Sequence, residues 1–154
     1  MIALIRLDDR LIHGQVMAVW ARHLKINRIL VIDDESAADA FALQLLELAM
    51  PAHIRLSVST VADAPAALKA LSTDGTRTLV LLKRVEDAMA LHATAPLAHL
   101  NLGNLGMRDG RRLIWRTVAL SPAELFALKQ LQSSGVDVFL QMVPSDDRQR
   151  PPTE

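Results

Sequence analysis

The sequence contains no cysteine, and this absence excludes disulfide bonds, thiol chemistry and zinc sites built on thiolates. Aromatic residues make up only 3% of the chain, so the core must be built mainly from Ala, Leu, Val and Ile. The 17 Lys and Arg residues balance 17 Asp and Glu residues, which argues against a general nucleic-acid or anionic-membrane surface. We find no secretory leader and no apolar run long enough to span a bilayer. We therefore expect a soluble, cytoplasmic protein.

The chain instead shows a regular alternation of strand-like apolar runs and helix-like amphipathic segments. The expected strands span residues 2–7, 28–32, 56–59, 78–83, 98–102, 113–120 and 136–143. The expected helices span residues 16–24, 36–50, 62–71, 85–93 and 122–134. This alternation predicts βαβ units, and hence one α/β domain over residues 1–144 with a mainly parallel sheet and helices on both faces. The polar, proline-bearing residues 145–154 are predicted to form a disordered tail.

Two of the expected helices carry further local signals. Ser121, Pro122 and Glu124 form the pattern of a capping box with proline at the first helical position, which predicts a helix start after Ser121. The segment 36–50 places four apolar residues on one face at helical spacing, namely Ala37, Phe41, Leu45 and Leu48.

The most informative stretch joins the first expected strand to the first helix. From residue 6 to residue 16 it reads Arg-Leu-Asp-Asp-Arg-Leu-Ile-His-Gly-Gln-Val. In an open α/β sheet, the turn after the carboxyl end of a strand is where ligands usually bind. His13 is followed by Gly14 and stands close to a helix N-terminus, whose free N–H groups attract anions, and Arg10 adds a fork of donors for phosphate oxygens. These residue types favour a phosphate-handling site over a merely buried or solvated histidine.

This stretch closely resembles the opening motif of the IIB component of the bacterial sugar phosphotransferase system, mannose–fructose–sorbose family. The resemblance extends along nearly the whole chain and includes the Asn101-x-Gly103 loop, although many relatives carry two glycines after that asparagine where this chain has Gly103-Asn104. It implies a three-layer α/β/α domain whose open sheet has about seven strands, one of them an antiparallel edge strand. It also implies that His13 is the phosphorylated residue.

Phosphoryl transfer to a histidine requires mainly positioning and charge, because the transition state is loose and its charge is spread over three equatorial oxygens. We assign His13 as nucleophile and carrier, and Arg10 as the ligand of the equatorial oxygens. Gly14 and Gln15 supply backbone N–H groups. Asp8 or Asp9 either accepts a proton from the other imidazole nitrogen or holds Arg10 in place. For each aspartate taken singly, turn formation or helix capping is an alternative to a direct catalytic role.

The resemblance also implies the partners of this reaction. The phosphoryl group would come from the phosphohistidine of a IIA partner and pass to a sugar imported by IIC and IID membrane subunits, so the chain would act as a phosphotransferase subunit. These partners would hold the protein at the inner face of the cell membrane, and a homo-oligomer is possible. No cofactor is implied, nor any nucleic acid. No histidine pair has the spacing of a metal site, so no metal is expected.

Two other classes of protein remain as alternatives. A response-regulator-like receiver would use Asp8 and Asp9 as a metal-binding acid pair and Lys83 as a strand-end lysine. It would also need an aspartate at the end of the third strand, where this chain has Ser57 and Ser59, so we reject this class. A regulatory IIB paralogue that binds partners without relaying phosphate is disfavoured by the presence of His13 and Arg10.

The position of the loop in the sheet can also be predicted. In the family fold the first strand is central and is flanked by the fourth and fifth strands, which makes the first loop a topological switch point. We therefore predict an exposed His13 side chain on a shallow surface rimmed by residues near Lys83 and Asn101–Gly103. A shallow site suits donors and acceptors that are themselves proteins.

Overall fold

The computed structural model describes residues 1–152, and within this range the chain forms eight strands and six helices. The strands are β1 (Ile2–Asp8), β2 (Arg28–Ile32), β3 (Arg55–Ser59), β4 (Thr78–Leu82), β5 (His99–Asn104), β6 (Arg112–Trp115), β7 (Val118–Leu120) and β8 (Asp137–Leu140). The helices are α1 (Gly14–Leu24), α2 (Asp34–Ala38), α3 (Ala40–Leu48), α4 (Ala64–Leu71), α5 (Val85–Thr94) and α6 (Pro122–Ser133). None of these helices is long and apolar enough to cross a lipid bilayer.

Six strands form one parallel sheet in the order β3-β2-β4-β1-β5-β8. Strand β1 lies between β4 and β5, which confirms the expected central position. Strand β4 is buried along its whole length, as expected for an apolar run covered on both faces. The central position of β1 places the loop after Asp8 between the ends of two neighbouring strands.

The sheet separates two hydrophobic layers, so the fold is the predicted three-layer α/β/α domain. On one face, Met17, Trp20 and Ala21 of α1 pack with Leu46 of α3 against the sheet. The other face is covered by α4, α5 and α6 together with β7, whose buried residues include Ala64, Ala88, Leu128 and Val118. The predicted capping box is present, because the Ser121 and Glu124 side chains each accept a hydrogen bond from the other residue's backbone N–H.

The segment 36–50 is two helices instead of the single predicted one. Asp39 has an extended backbone, and its side chain caps α3 by accepting hydrogen bonds from the backbone N–H groups of Phe41 (3.0 Å) and Ala42 (3.2 Å). Most of the predicted apolar face is exposed, since Phe41, Leu45 and Leu48 are 68%, 52% and 83% exposed, respectively. The apolar spacing predicts helical structure correctly, but these three residues do not pack against the sheet.

The expected edge strand over residues 113–120 is also different in the structure. It is a hairpin of β6 and β7 that forms a separate two-stranded antiparallel sheet. The main sheet consequently has six strands instead of about seven, and its strand pairs are all parallel. The hairpin stays attached to the end of β5, because Leu105 donates a hydrogen bond to the Thr117 carbonyl and accepts one from the Ala119 N–H.

The last residues lie against the edge of the sheet. Gln149 and Leu140 exchange two backbone hydrogen bonds, of 2.6 and 3.0 Å, and the Arg148 guanidinium stacks 4.0 Å from the centroid of the Phe139 ring. The segment 145–152, which its composition predicts to be disordered, thus makes defined contacts with β8, while residues 153 and 154 of the predicted tail lie outside the described residues.

Candidate functional site

The loop that carries His13 is anchored on its amino-terminal side. Strand β1 ends at Asp8, whose carbonyl accepts a hydrogen bond from Leu11 N–H at 3.0 Å and closes a turn. Leu11 and Ile12 then insert into the core and are only 5% exposed each. Leu11 adopts a positive φ of 57°, which non-glycine residues rarely do, and Gly14 follows with 42°. These apolar anchors fix the backbone immediately before His13.

His13 and Asp8 form the central contact of the site. His13 Nε2 lies 2.9 Å from Asp8 Oδ2, the Asp8 side chain is fully buried, and the His13 side chain is 18% exposed. We predicted an exposed His13 side chain, and in the structure it is partly exposed, since Nε2 contacts the buried Asp8 while part of the ring reaches the surface. None of the described groups hydrogen-bonds the other ring nitrogen, Nδ1. The ring thus has one held nitrogen and one available nitrogen.

Asp9 points away from the histidine and binds the neighbouring loop. Its Oδ1 accepts a hydrogen bond from Asn104 Nδ2 at 2.9 Å, and its Oδ2 accepts one from Gly106 N–H at 2.7 Å. Arg108 approaches the same carboxylate at 3.8 Å. The structure therefore separates two aspartates whose roles the sequence leaves open, and it shows that Asn104 contacts Asp9.

The other predicted residues border an open surface at the start of α1. Arg10 is exposed, and its guanidinium has no hydrogen-bond or ion-pair partner among the described residues. The backbone N–H of Arg10 donates to Asp8 Oδ1 at 3.1 Å. Gly14 and Gln15 begin α1, whose N-terminus has no side-chain cap and no acidic residue in its first turn. Free N–H groups and an uncompensated helix dipole suit this end for an anion.

The predicted rim of the site is only partly present. Lys83 follows β4 and is paired with Glu35 at 3.6 Å, so it lies at the predicted edge of the sheet. Asn101 does not line the surface, because it is fully buried in β5. Its side chain accepts a hydrogen bond from Arg6 at 2.7 Å and donates one to the Gln141 carbonyl at 3.0 Å. Asn101 therefore lies in the interior below the loop and contacts Arg6 instead of lining the surface.

Arg6 is the residue that sequence reasoning did not assign to the site. It is fully buried in the centre of β1, and its Nε and Nη2 both lie 3.3 Å from Asp8 Oδ2, the oxygen that also contacts His13. Burial lowers the pKa of the Arg6 guanidinium, and the negative charge of Asp8 offsets part of this effect. A signal was available, because Arg6 is the one charged residue inside an apolar run predicted to be a buried strand.

Among residues 1–152, no group of three His, Cys, Asp or Glu side chains is placed to hold a metal ion. The same stretch of chain carries groups that suit an anion, namely a partly exposed histidine, an exposed arginine and the uncapped N-terminus of α1. Within the described chain, these features define an open-sheet α/β domain with a partly exposed histidine in the loop that follows its central strand.

Comparison with known proteins identifies the family. Residues 2–151 match the profile of the family described as PTS system sorbose subfamily IIB component, and the chain belongs to this family of the sugar phosphotransferase system. The chain is 32% identical over 155 residues to a probable phosphotransferase enzyme IIB component of Streptococcus pyogenes, covering 96% of this chain and 95% of that protein. The resemblance inferred from the opening motif is confirmed.

Two further relatives bear on the fold and on the partners. The crystal structure of the IIBSor domain of the sorbose permease from Klebsiella pneumoniae superimposes with a TM-score of 0.89 at 29% identity, covering 97% of this chain and 92% of that one. The mannose-specific EIIAB component of Escherichia coli is 29% identical over 148 residues, which cover 96% of this chain and 46% of that protein.

Proposed function

We propose that this protein is a phosphocarrier that accepts a phosphoryl group on His13 from the phosphohistidine of a IIA partner. It then passes the group to a sugar imported by IIC and IID membrane subunits. The observation that carries the proposal is the contact between His13 and the buried Asp8, which holds one ring nitrogen and leaves the other available, in a loop that also carries the exposed Arg10. Membership of the IIB family supports the same chemistry.

The contact to Asp8 favours Nδ1 as the phosphorylated atom. A carboxylate accepts a hydrogen bond, so Asp8 Oδ2 favours the tautomer that carries its proton on Nε2 and its lone pair on Nδ1. In the transfer, this lone pair attacks phosphorus and forms the new N–P bond. The N–P bond of the donor breaks, and its electron pair leaves with the donor imidazole. The His13 ring becomes cationic, and the Asp8 carboxylate stabilises that charge.

Arg10 and the start of α1 would bind the phosphoryl oxygens. The Arg10 side chain is exposed and has no partner within the described part of the chain, so it can place two N–H donors on the oxygens at no cost to another contact. The uncapped N-terminus of α1 adds the backbone N–H groups of Gly14 and Gln15. Both features stabilise the charge that is spread over the equatorial oxygens in the transition state.

The partners of the reaction follow from the family. The mannose-specific relative from Escherichia coli is an EIIAB component, and this chain covers 46% of it, which supports a IIA partner that is separate from the residues described here. A protein that exchanges phosphate with membrane subunits would work in the cytoplasm, at the inner face of the membrane. The partly exposed His13 fits such a relay, because each partner must bring its own reacting group to the ring.

The proposal is tested by intact-mass spectrometry after incubation with a phosphorylated IIA protein. We expect the wild-type chain to gain one phosphoryl group, whose linkage is labile in acid and stable in base, as phosphohistidine is. His13→Ala should gain none. His23→Ala, which removes an exposed histidine ten residues further on in α1, is the matched control and should behave as the wild type. Retention of the added mass by His13→Ala would overturn the assignment.

The role of Arg10 is tested by Arg10→Lys. Lysine keeps the positive charge but loses the planar fork that binds two oxygens, so we expect slower transfer in a protein that folds normally. The initial rate of phosphoryl uptake, measured by quenched-flow mass spectrometry, is compared with that of Arg22→Lys, an exposed arginine on α1. Equal rates for the two variants would show that Arg10 is only a surface charge.

A further inference from the structure

We infer that Arg6 is a positioning residue, which holds the Asp8 carboxylate in place and through it fixes the orientation of the His13 ring. This inference rests on the proposed function, in which the ring must present Nδ1 to the incoming phosphoryl group. The observation behind it is that one carboxylate oxygen, Asp8 Oδ2, is shared by His13 at 2.9 Å and by Nε and Nη2 of Arg6 at 3.3 Å each.

Arg6 is itself held rigidly from the side opposite to Asp8. Its Nη1 donates hydrogen bonds to Asn101 Oδ1 at 2.7 Å and to the Gln141 carbonyl at 3.0 Å, and Asn101 Nδ2 donates to the same carbonyl at 3.0 Å. The ring of Trp20 lies 5.6 Å from the centre of the guanidinium. Strand β5, the residue that follows β8 and helix α1 therefore all contact this fully buried arginine, whose position leaves little freedom for the carboxylate of Asp8.

The sequence also leaves space for this arginine. A Cβ atom at Gly103 would overlap the Arg6 guanidinium, so glycine at this position lets the side chain lie directly against the backbone of β5. This contact gives a reason for the glycine in the Asn101-x-Gly103 pattern. It also means that Arg6 can be displaced without changing its chemistry, by adding one methyl group at residue 103.

Stability alone is a weak reason to bury such a pair. Apolar residues of similar volume commonly replace buried ion pairs without loss of stability. Here Arg6 Nη2 has no hydrogen-bond partner among the described residues apart from its approach to Asp8, so the guanidinium is incompletely satisfied. Its clearest effect is on the carboxylate. Pinned by Arg6 on one oxygen and by the Arg10 N–H on the other, Asp8 offers His13 a single acceptor in a single place.

Without this support, the carboxylate can rotate toward other donors. The His13 ring can then turn over and present Nε2 instead of Nδ1 at the surface. A positioning role therefore predicts two linked effects of perturbing Arg6: a mixed tautomer in the free protein and a mixed site of phosphorylation. A residue that only stabilises the fold would change neither in the fraction of molecules that remain folded.

The experiment compares Arg6→Lys and Gly103→Ala with the wild type. The control is Arg77→Met, which removes an arginine bound to the Leu24 carbonyl next to the amino end of β4. Nitrogen-15 NMR of the His13 imidazole reports the tautomer without any phosphodonor. Phosphorus NMR of the phosphorylated protein separates the two isomers of phosphohistidine. Circular dichroism shows whether each variant is folded.

We expect the wild type and Arg77→Met to show one tautomer, protonated on Nε2, and phosphate on Nδ1 alone. Arg6→Lys and Gly103→Ala should show both tautomers and both isomers, with transfer slowed about 10- to 100-fold, as when other carboxylate-type supports of a histidine are removed. Wild-type spectra and rates in folded Arg6→Lys would overturn the inference. If that variant does not fold, Gly103→Ala decides, and a single wild-type tautomer there overturns it. Failure of the wild type to accept phosphate would instead refute the proposed function. The His13 tautomers, which are measured by NMR without a phosphodonor, would still decide whether Arg6 positions the ring.

Discussion

Replacing Glu124 by glutamine should separate the charge of this residue from its role in the helix cap. Glu124 accepts hydrogen bonds from Arg111 Nε at 2.8 Å and Nη2 at 2.7 Å, and the two side chains are only 8% and 5% exposed. Glu124 Oε1 also accepts a hydrogen bond from the Ser121 N–H at 2.9 Å. Glutamine can replace glutamate in a capping box, so Glu124→Gln keeps the cap and leaves the Arg111 charge without its partner.

The expected cost is set by the charge that remains buried. Breaking a buried ion pair from one side typically costs about 3–5 kcal/mol. We expect Glu124→Gln to lower the free energy of unfolding by about 3 kcal/mol, the lower end of this range. The cost is limited because Arg111 keeps its hydrogen bond to the Gly106 carbonyl at 2.8 Å and the negative charges of Asp9 and Glu86 remain nearby. For a domain of this size, about 3 kcal/mol lowers Tm by roughly 6–12 °C.

The pH dependence follows from the Glu124 pKa. Burial acts to raise this pKa, but the hydrogen bonds from Arg111 and from the Ser121 backbone outweigh it, and the pKa lies below its ordinary value. A carboxyl group whose pKa is lower in the folded state stabilises the fold above its unfolded pKa, and this stabilisation is lost as the pH falls through the folded pKa. The difference in Tm between wild type and Glu124→Gln should therefore be full at neutral pH and shrink in acid.

The assay is thermal and urea unfolding followed by circular dichroism, at neutral pH and in acid. The matched control is the double variant Arg111→Met with Glu124→Gln, which removes the uncompensated charge and should recover much of the lost stability. The reasoning would be refuted by a Glu124→Gln protein that unfolds within about 2 °C of the wild type at neutral pH, a shift below about 1 kcal/mol for this size.

Two further predictions concern other parts of the fold. Burial raises the Asp87 pKa, and the nearby Asp33 and Asp34 add to this effect, while Arg84 opposes it. Asp87 therefore stabilises the fold at a pH below its unfolded pKa. This stabilisation is lost as the pH rises through the folded pKa. Asp87→Asn should raise Tm at neutral pH but not in acid, and scanning calorimetry showing no gain would contradict this. Deleting residues 145–154 uncovers the edge of β8, so the product should have a lower Tm and associate with increasing concentration, as measured by light scattering. A monomeric product with an unchanged Tm would show that this segment does not protect the β8 edge.

Much of this fold was predictable because its signals are local. Strand β4 is a run of apolar residues buried on both faces, and the helix after Ser121 begins with a complete capping box, so both were expected with nearly correct bounds. The loop from Asp8 to Gly14 was predictable for the same reason, since its chemical groups are adjacent in sequence. The contact between Asp8 and His13 spans only five residues.

The errors arise where the outcome depends on distant parts of the chain. Apolar spacing continues across Asp39, so the sequence shows a helix face but not the cap that interrupts it or the absence of a packed surface opposite Phe41 and Leu45. The hairpin in place of an edge strand depends on the backbone contacts of Leu105. The contact of Arg6 with Asn101 depends on strand register, which places these two residues side by side on β1 and β5.

The fit between Arg6 and Gly103 has a consequence for how members of this family can diverge. The two residues lie on adjacent strands, and the space for a side chain at residue 103 is already filled by the guanidinium. A lineage that acquires an alanine at position 103 while it keeps the arginine must displace the guanidinium, and so loosens its hold on Asp8. Loss or shortening of the arginine removes this clash, so substitutions at the two positions should be correlated across the family.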